Sequence, residues 1–132
     1  MERTYIMTKP DAYKRKLLGK IITKIEEKGY TIADMKMMTL DEEILKEHYA
    51  HIADKPFFPE ILEFMTSAPV VGMIVEGDNC ISGMRTLMGP THPSEALPGT
   101  IRGDYAIVSG ENVIHGSDSA ETAEMEIKRF FG

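Results

Sequence analysis

The spacing of apolar residues in the first third of the chain predicts a strand, a helix and a second strand. Residues 3–8, with Tyr5, Ile6 and Met7 at their centre, predict a short β-strand that ends at Pro10. Residues 30–40 resemble a second strand. Between them, apolar side chains recur at helical spacing up to Gly29, a common helix stop: Leu17, Leu18, Ile21, Ile22 and Ile25.

The middle of the chain continues this alternation. Asp41 is a suitable cap for a helix that extends to Ile52, and a turn at residues 56–59 leads into a further helix that reaches Met65. The apolar run at residues 70–75 then predicts a strand that is apolar on both faces. Such a strand belongs in the centre of a sheet.

The remaining elements complete a small α+β domain. We expect Asn79 to cap a helix that stops at Gly89, residues 105–108 to form a fourth strand, and residues 119–131 to form a last helix with one apolar stripe. The order β, α, β, helices, β, α, β, α predicts one domain over residues 1–132, with a small sheet that has helices on one face.

One connection, at residues 89–104, is much longer than the others. Residues 89–104 contain three prolines and three glycines and show neither helical nor strand periodicity. A structureless connection longer than about 12–15 residues in a compact domain is usually functional or disordered. Because prolines restrict the backbone, we expect a loop of fixed shape with a functional role.

The distribution of charge is uneven and points to two particular arginines. The net charge is −6, and residues 40–132 hold 6 Lys and Arg against 16 Asp and Glu, which disfavours nucleic acid as a partner. From Pro56 through Ile127 the only cations are Arg85 and Arg102. These two arginines either bind an anion or lie on the surface as solvated charges.

Other sequence features constrain the location and the metal content. No apolar run approaches the roughly 18 residues that span a bilayer. The N-terminus also lacks the pattern of a signal peptide, so we expect a cytoplasmic protein with no membrane partner. Cys80 is the only cysteine, and no Cys/His cluster has the spacing of a zinc site. No protein-bound metal is predicted.

His115 is the residue best suited to covalent chemistry. It stands between a short apolar run and the start of the last helix, where free backbone N–H groups favour phosphate. A neutral imidazole is nucleophilic near pH 7, which suits phosphoryl transfer. The alternative is a structural histidine, with Ser117 and Asp118 capping the helix and Asp118 forming a capping box with Glu121.

Several other side chains could support that chemistry, but the pattern alone leaves their roles open. Lys9 follows the first strand and could reach a cleft or remain exposed. Tyr49 and Phe57 could belong to the core, or could supply a phenol and a stacking ring. Glu124 and Glu126 flank the apolar stripe of the last helix, and either could point inward. Neither a P-loop nor a Gly-x-Gly-x-x-Gly motif is present.

Six segments together resemble the nucleoside diphosphate kinase family, in one register from Tyr5 to Phe131. The resemblance implies a ferredoxin-like fold, a four-stranded antiparallel sheet with helices over one face. The segments are Thr8-Lys-Pro-Asp11, His48-Tyr49, Lys55-Pro-Phe-Phe-Pro59, Gly83-Met-Arg85, Pro98-Gly-Thr-Ile-Arg-Gly-Asp104 and Asn112-Val-Ile-His-Gly-Ser-Asp-Ser119.

The resemblance also implies a role for each matching residue. The phosphorylated histidine of the family corresponds to His115, with Lys9, Glu126 and Ser117 completing the catalytic set. Phe57 corresponds to the aromatic residue that stacks on the base, and Asn112 with Lys9 to the contacts of the sugar hydroxyls. The residues that correspond to the phosphate contacts are Lys9, Tyr49, Arg85, Thr91 and Arg102.

The implied activity is ping-pong transfer of the γ-phosphoryl group from a nucleoside triphosphate to a nucleoside diphosphate. Mg²⁺ is implied as an ion carried on the nucleotide phosphates, and a homo-oligomer, either tetramer or hexamer, is the implied assembly. The alternative is a nucleotide-sensing or phosphohistidine signalling module without efficient turnover. Ser109 departs from the family, since an aliphatic residue is usual there, and the chain ends at Gly132 where longer relatives continue with a tail.

Overall fold

The computed structural model describes residues 1–132 and contains one four-stranded sheet. Its strands are β1 (Glu2–Thr8), β2 (Thr31–Met38), β3 (Val70–Gly77) and β4 (Ile114–Gly116). They lie in the order β2-β3-β1-β4, and every neighbouring pair is antiparallel. The expected antiparallel sheet of a ferredoxin-like α+β fold is therefore confirmed, with β1 and β3 at its centre.

Seven helices connect and cover the strands, and two of the expected helix boundaries hold closely. Gly29 ends the second helix with a left-handed φ of 108°, and the Asp41 carboxylate accepts the Ile44 N–H at 2.9 Å to cap the third. The helices are α1 (Pro10–Lys14), α2 (Leu18–Lys28), α3 (Glu42–His48), α4 (Phe58–Met65), α5 (Cys80–Met88), α6 (Ile101–Tyr105) and α7 (Ala120–Phe131).

The helices cover both faces of the sheet rather than the one face that the sequence pattern predicted. Ile6 packs with residues of α2 and α5 on one side of β1. Tyr5 and Met7 pack with residues of α3, α4 and α7 on the other. The reason is that β1 and β3 are apolar at successive positions, so each strand has two faces that must be removed from water.

The fourth strand lies farther along the chain than predicted. Tyr105 ends α6, and the apolar residues that follow it are exposed, Ile107 by 85% and Val108 by 53%. The segment that pairs with β1 is β4, in which His115 lies opposite Met7. A strand of three residues is too short to display the alternation by which strands are recognised.

Three smaller expectations also need correction. The loop of residues 89–104 is not structureless, because it contains the 3-10 helix Pro93–Glu95 and the first turn of α6. Asn79 precedes α5 but does not cap it, and the Glu2 carboxylate accepts the Ile81 N–H instead. Helix α3 ends at His48, four residues before the predicted end.

No helix combines the length and the apolar character that crossing a membrane requires.

Candidate active site

The centre of the site is His115 on β4, whose imidazole is held from behind by Glu126 on α7. The His115 Nε2 atom lies 2.9 and 3.0 Å from the two carboxylate oxygens of Glu126. The Ser117 hydroxyl donates to Glu126 Oε1 at 2.5 Å. Burial raises the pKa of Glu126, but the hydrogen bonds from His115 and Ser117 outweigh it, so the net pKa lies below its ordinary value. The carboxylate is therefore ionised at neutral pH.

This contact determines which nitrogen of His115 is free to react. An ionised carboxylate can only accept hydrogen bonds, so the proton of the neutral imidazole lies on Nε2. The Nδ1 atom then carries an unprotonated lone pair and makes no hydrogen bond within the chain. Nδ1 can therefore act as a nucleophile, while Nε2 is held by the Glu126 carboxylate.

The start of α7 is capped by a different residue from the predicted capping box. The Ser119 hydroxyl accepts the Thr122 N–H at 3.1 Å, whereas Asp118 is exposed and makes no bond to the helix. Ser117 is occupied with Glu126 and is almost fully buried. The structural alternative for this segment, in which Ser117 and Asp118 only cap the helix, is therefore wrong.

Arg85 and Arg102 both lie beside β4, and neither forms a salt bridge with a carboxylate. Arg85 donates to the Gly116 carbonyl at 3.1 Å. Arg102, which is only 5% exposed, donates to the carbonyls of Ile114 at 2.6 Å and Gly89 at 2.9 Å. Burial and the nearby charge of Arg85 lower the pKa of Arg102 to about 10. Two neighbouring guanidinium groups without an acidic partner favour the binding of an anion.

A cleft of about 440 Å³ opens in front of His115 and Arg85, whereas Arg102 does not line it. Its walls include His115, Arg85 and Tyr49. A second cavity of about 420 Å³ shares Tyr49 with the first and is lined by Lys9, Thr91, Ser109 and Asn112 among others. Tyr49 therefore lies at the junction between the cleft at His115 and the second cavity. A ligand of extended shape could occupy both.

The polar residues of the second cavity are held in unusual environments. Burial, and next the charge of Arg102, lower the pKa of Lys9 to about 8. Burial, and next Glu126, raise the pKa of Tyr49 to about 12. The Asn112 side chain donates to the Thr91 carbonyl at 3.4 Å, and its buried Oδ1 atom has no partner within the chain. A buried acceptor without a donor is uncommon in folded proteins.

Three predicted site residues line neither cavity: Arg102 and Ser117, which are buried behind the walls, and Phe57, which is exposed. Phe57 stands at the start of α4 and is 48% exposed. The apolar side of the second cavity is formed by residues of the following turns, Ile61 and Phe64. Ser109 does line the cavity, but its hydroxyl is tied to His92 Nδ1 at 2.9 Å.

The structure also contains a support that the sequence did not reveal. Val113 has a φ of 65°, which is strained for a β-branched residue. Its N–H donates to the buried Asp11 carboxylate at 3.1 Å, and its carbonyl accepts the Lys9 N–H at 2.8 Å. The backbone at Val113 links Asn112 to β4, so these bonds fix the two sides of the site. The sequence gives no sign of the strained backbone at Val113. Asp11, which supports it, does belong to one of the six segments that resemble the family.

One group of three side chains has the composition of a metal site, but not of a magnesium site. Ligand atoms of His48, His115 and Glu126 all lie within 4.8 Å of one another. Two of the three would be imidazole nitrogens, whereas Mg²⁺ takes oxygen ligands in octahedral geometry. The chain therefore offers no protein cage for Mg²⁺ at this position.

Comparison with known proteins gives a consistent result over the whole chain. The sequence model of the family described as nucleoside diphosphate kinase matches residues 2–132. A nucleoside diphosphate kinase of Exiguobacterium sibiricum is 53% identical over 99% of this chain and 95% of its own length. One of Thermus thermophilus is 50% identical over 99% of this chain and 96% of its own length.

Solved structures show the same similarity in three dimensions. The apo nucleoside diphosphate kinase of Encephalitozoon cuniculi has a TM-score of 0.95 at 48% identity, over 100% of this chain and 90% of that one. The halophilic enzyme of Halobacterium salinarum was solved in complex with CDP. It has a TM-score of 0.94 at 48% identity, over 98% of this chain and 87% of that one.

Proposed function

The chain belongs to the nucleoside diphosphate kinase family, and we propose that His115 is the residue on which it carries the phosphoryl group. Members of this family transfer the γ-phosphoryl group of a nucleoside triphosphate to a nucleoside diphosphate through a phosphohistidine. The observation that carries the assignment is the pairing of His115 Nε2 with the Glu126 carboxylate, at 2.9 and 3.0 Å. That pairing leaves Nδ1 unprotonated beside the open cleft.

In the first half of the cycle, His115 Nδ1 attacks the γ-phosphorus of the bound triphosphate. The N–P bond forms as the bond to the bridging oxygen breaks, and the nucleoside diphosphate leaves with that electron pair. The imidazole ring gains positive charge as it is phosphorylated, and the ionised Glu126 stabilises this charge through Nε2–H. Ser117 holds the carboxylate in place. The second half reverses these steps with a different diphosphate.

The cations around the cleft supply what phosphoryl transfer asks of a protein, which is positioning and compensation of charge. We assign Lys9, Arg85 and Arg102 to the phosphate oxygens, together with the hydroxyls of Tyr49 and Thr91. Mg²⁺ would enter with the substrate on its phosphates. This assignment rests on the burial of Arg102 and on two guanidinium groups that have no carboxylate partner.

The second cavity is the proposed place for the nucleoside. Lys9 and Asn112, which both line this cavity, would contact the sugar hydroxyls. The base would lie at the mouth, between Phe57 and the apolar wall, because Phe57 stands one helical turn before Ile61 on α4. The Halobacterium salinarum protein was solved in complex with CDP, which supports nucleotide binding by this chain.

The decisive experiment is intact-protein mass spectrometry with the His115→Ala variant. The wild-type chain should gain one phosphoryl group on mixing with ATP and Mg²⁺, and lose it on addition of GDP. His115→Ala should gain none and should show no ping-pong turnover. His51→Ala removes an exposed histidine of the same cleft and serves as the control that keeps the phosphoryl group.

Two outcomes would contradict the assignment. A phosphoryl group that appears on the His115→Ala variant would move the nucleophile elsewhere. A wild-type phosphoenzyme that ignores GDP would favour the alternative of a phosphohistidine signalling module. The carboxylate partner of His115 and the presence of Arg85 in the same cleft support turnover over that alternative.

We also propose that the protein is a cytoplasmic homo-oligomer, as tetramer or hexamer. The edge strand β2 supports self-association, because its outer row of N–H and C=O groups is unpaired and Met35 and Met37 are 48% and 56% exposed. Light scattering at micromolar concentration should give a multiple of 14.8 kDa. A mass of one chain would refute self-association.

A further inference from the structure

Arg129 on α7 contacts the network behind His115 and also lines the cleft that His115 and Arg85 line. Its Nη1 atom lies 3.0 Å from His48 Nδ1, and its Nε atom lies 3.6 Å from the Glu47 carboxylate. The side chain is 12% exposed. It stands one helical turn after Glu126, so both side chains leave the same face of α7.

His48 is packed directly against the catalytic pair. Its side chain is 2% exposed, and its Nδ1 atom lies 3.8 Å from Glu126 Oε2. The ring meets the His115 ring edge to face, with centroids 4.9 Å apart, and meets Phe130 in the same way at 5.2 Å. A donor at His48 Nδ1 would therefore face the same carboxylate oxygen that anchors His115.

The contact with Arg129 determines the tautomer of His48. A guanidinium group has five N–H donors and no acceptor, so His48 Nδ1 must be the acceptor of this bond. The proton of the neutral ring then lies on Nε2. We propose that Arg129 is a positioning residue that keeps His48 in this tautomer and thereby reserves the Glu126 carboxylate for His115.

The charges around His48 agree with a neutral ring at working pH. Burial lowers its pKa to about 3, and the charges of His115, Arg129 and Lys9 act in the same direction. Glu126 alone opposes them. If Arg129 is removed, one of these cations is lost and Nδ1 loses its donor. The ring is then free to hold its proton on Nδ1 and donate it to Glu126 Oε2, after a small movement that closes the 3.8 Å gap.

Such sharing would weaken the anchor of His115. Glu126 Oε2 would accept from two imidazoles, so it would stabilise the charge that develops on the phosphorylated ring less well. This consequence rests on the proposed function of His115. The tautomer of His48 does not, because it can be measured without any nucleotide.

The first test is therefore spectroscopic. In protein with ¹⁵N-labelled histidine, the ring nitrogens of His48 distinguish the two tautomers, because protonated and unprotonated nitrogens have different shifts. Wild type should show a proton on Nε2, and Arg129→Leu should show the proton on Nδ1 for a substantial fraction of molecules. Lys128→Leu, which removes the exposed neighbouring cation of α7, should resemble wild type. An Arg129→Leu spectrum identical to wild type would overturn the proposal.

The second test is a double-mutant cycle on phosphoenzyme formation. Arg129→Leu should slow the step by about 3- to 10-fold, the effect of one hydrogen bond, with little change in KM. In a His48→Phe background, which has no ring donor, the same substitution should have no further effect. An equal loss in both backgrounds would mean that Arg129 acts on the substrate directly, and would refute the mechanism through His48. If His115 were not the nucleophile, the kinetic cycle would fail while the tautomer result stood.

Discussion

Replacing Glu126 by Gln is the most direct test of the geometry behind His115. The glutamine side chain keeps the shape of the glutamate, but it replaces one acceptor oxygen by an NH₂ donor and removes the charge. The two carboxylate oxygens now receive donors from His115 and Ser117, and the closest of these contacts are 2.9 and 2.5 Å. A glutamine oxygen in the place of Oε1 lies within reach of both donors, at 3.0 Å from His115 Nε2 and 2.5 Å from the Ser117 hydroxyl, but its NH₂ group would then face the Nε2–H at 2.9 Å.

The size of the effect follows from these contacts. If the amide NH₂ turns toward His115, it donates to Nε2 and drives the ring proton to Nδ1, which is the wrong tautomer for attack. If the amide oxygen stays, the charge that stabilises the phosphorylated ring is lost. A hydrogen bond to a charged group contributes roughly 1.5–3 kcal/mol, which corresponds to a rate loss of about 10- to 150-fold.

The assay is the rate of phosphoenzyme formation after rapid mixing with ATP and Mg²⁺, with Glu124→Gln as the matched control. Glu124 lies two residues earlier on α7, and its carboxylate is 58% exposed and pairs with Arg3 at 2.8 Å, away from the site. We expect the control to react at the wild-type rate. If Glu126→Gln reacted as fast as Glu124→Gln, the carboxylate would have no part in preparing His115, and Nδ1 would lose its assignment as nucleophile.

The proposed nucleotide contacts predict how activity depends on pH and on the sugar hydroxyls. Because burial lowers the pKa of Lys9 to about 8, its charge is present below that pH and is lost above it. KM for the diphosphate should rise as the pH passes 8, and Lys9→Arg should move this rise to higher pH; a flat profile would contradict the placement of Lys9. A 2′,3′-dideoxy diphosphate should have a lower kcat/KM than its 2′-deoxy parent, because an unpaired polar partner costs roughly 1–3 kcal/mol, or about 5- to 150-fold. GDP, ADP, CDP and UDP should differ less, since an aromatic face accepts any base, and strong discrimination among them would imply a base-specific pocket.

The choice between Glu124 and Glu126 shows how far the sequence pattern could go. The apolar stripe of the last helix can be completed in two ways. Residues 120, 124, 127 and 131 have helical spacing, and so do residues 123, 126, 127 and 130. The structure selects the second stripe, since Ala123 and Phe130 are buried and Ala120 is exposed. Only the position of α7 on the sheet decides between them, and this position depends on contacts with β1 that are distant in sequence.

The central strands and the amphipathic helices were predictable because each carries a long periodic signal. The segment around His115 was not predictable, because its structure depends on hydrogen bonds between residues that are distant in sequence. Strand β4 has three residues, and its register is fixed by pairing with β1. The unusual backbone of Val113 is held by Asp11, which lies 102 residues earlier. The contact of Arg129 with His48 spans 81 residues. No local pattern encodes such pairs.

The buried cations of the site explain why its geometry can be fixed before the substrate arrives. Burial lowers the pKa of both Lys9 and Arg102, so each charged form carries a desolvation cost in the free protein. Backbone carbonyls, rather than carboxylates, hold Arg102 in place. Carbonyl dipoles orient the guanidinium without neutralising it, so Arg102 keeps its positive charge for the proposed contact with a polyphosphate. A carboxylate partner would stabilise the free protein better, but the nucleotide would then have to displace it, and the site would lose the preorganised field on which phosphoryl transfer depends.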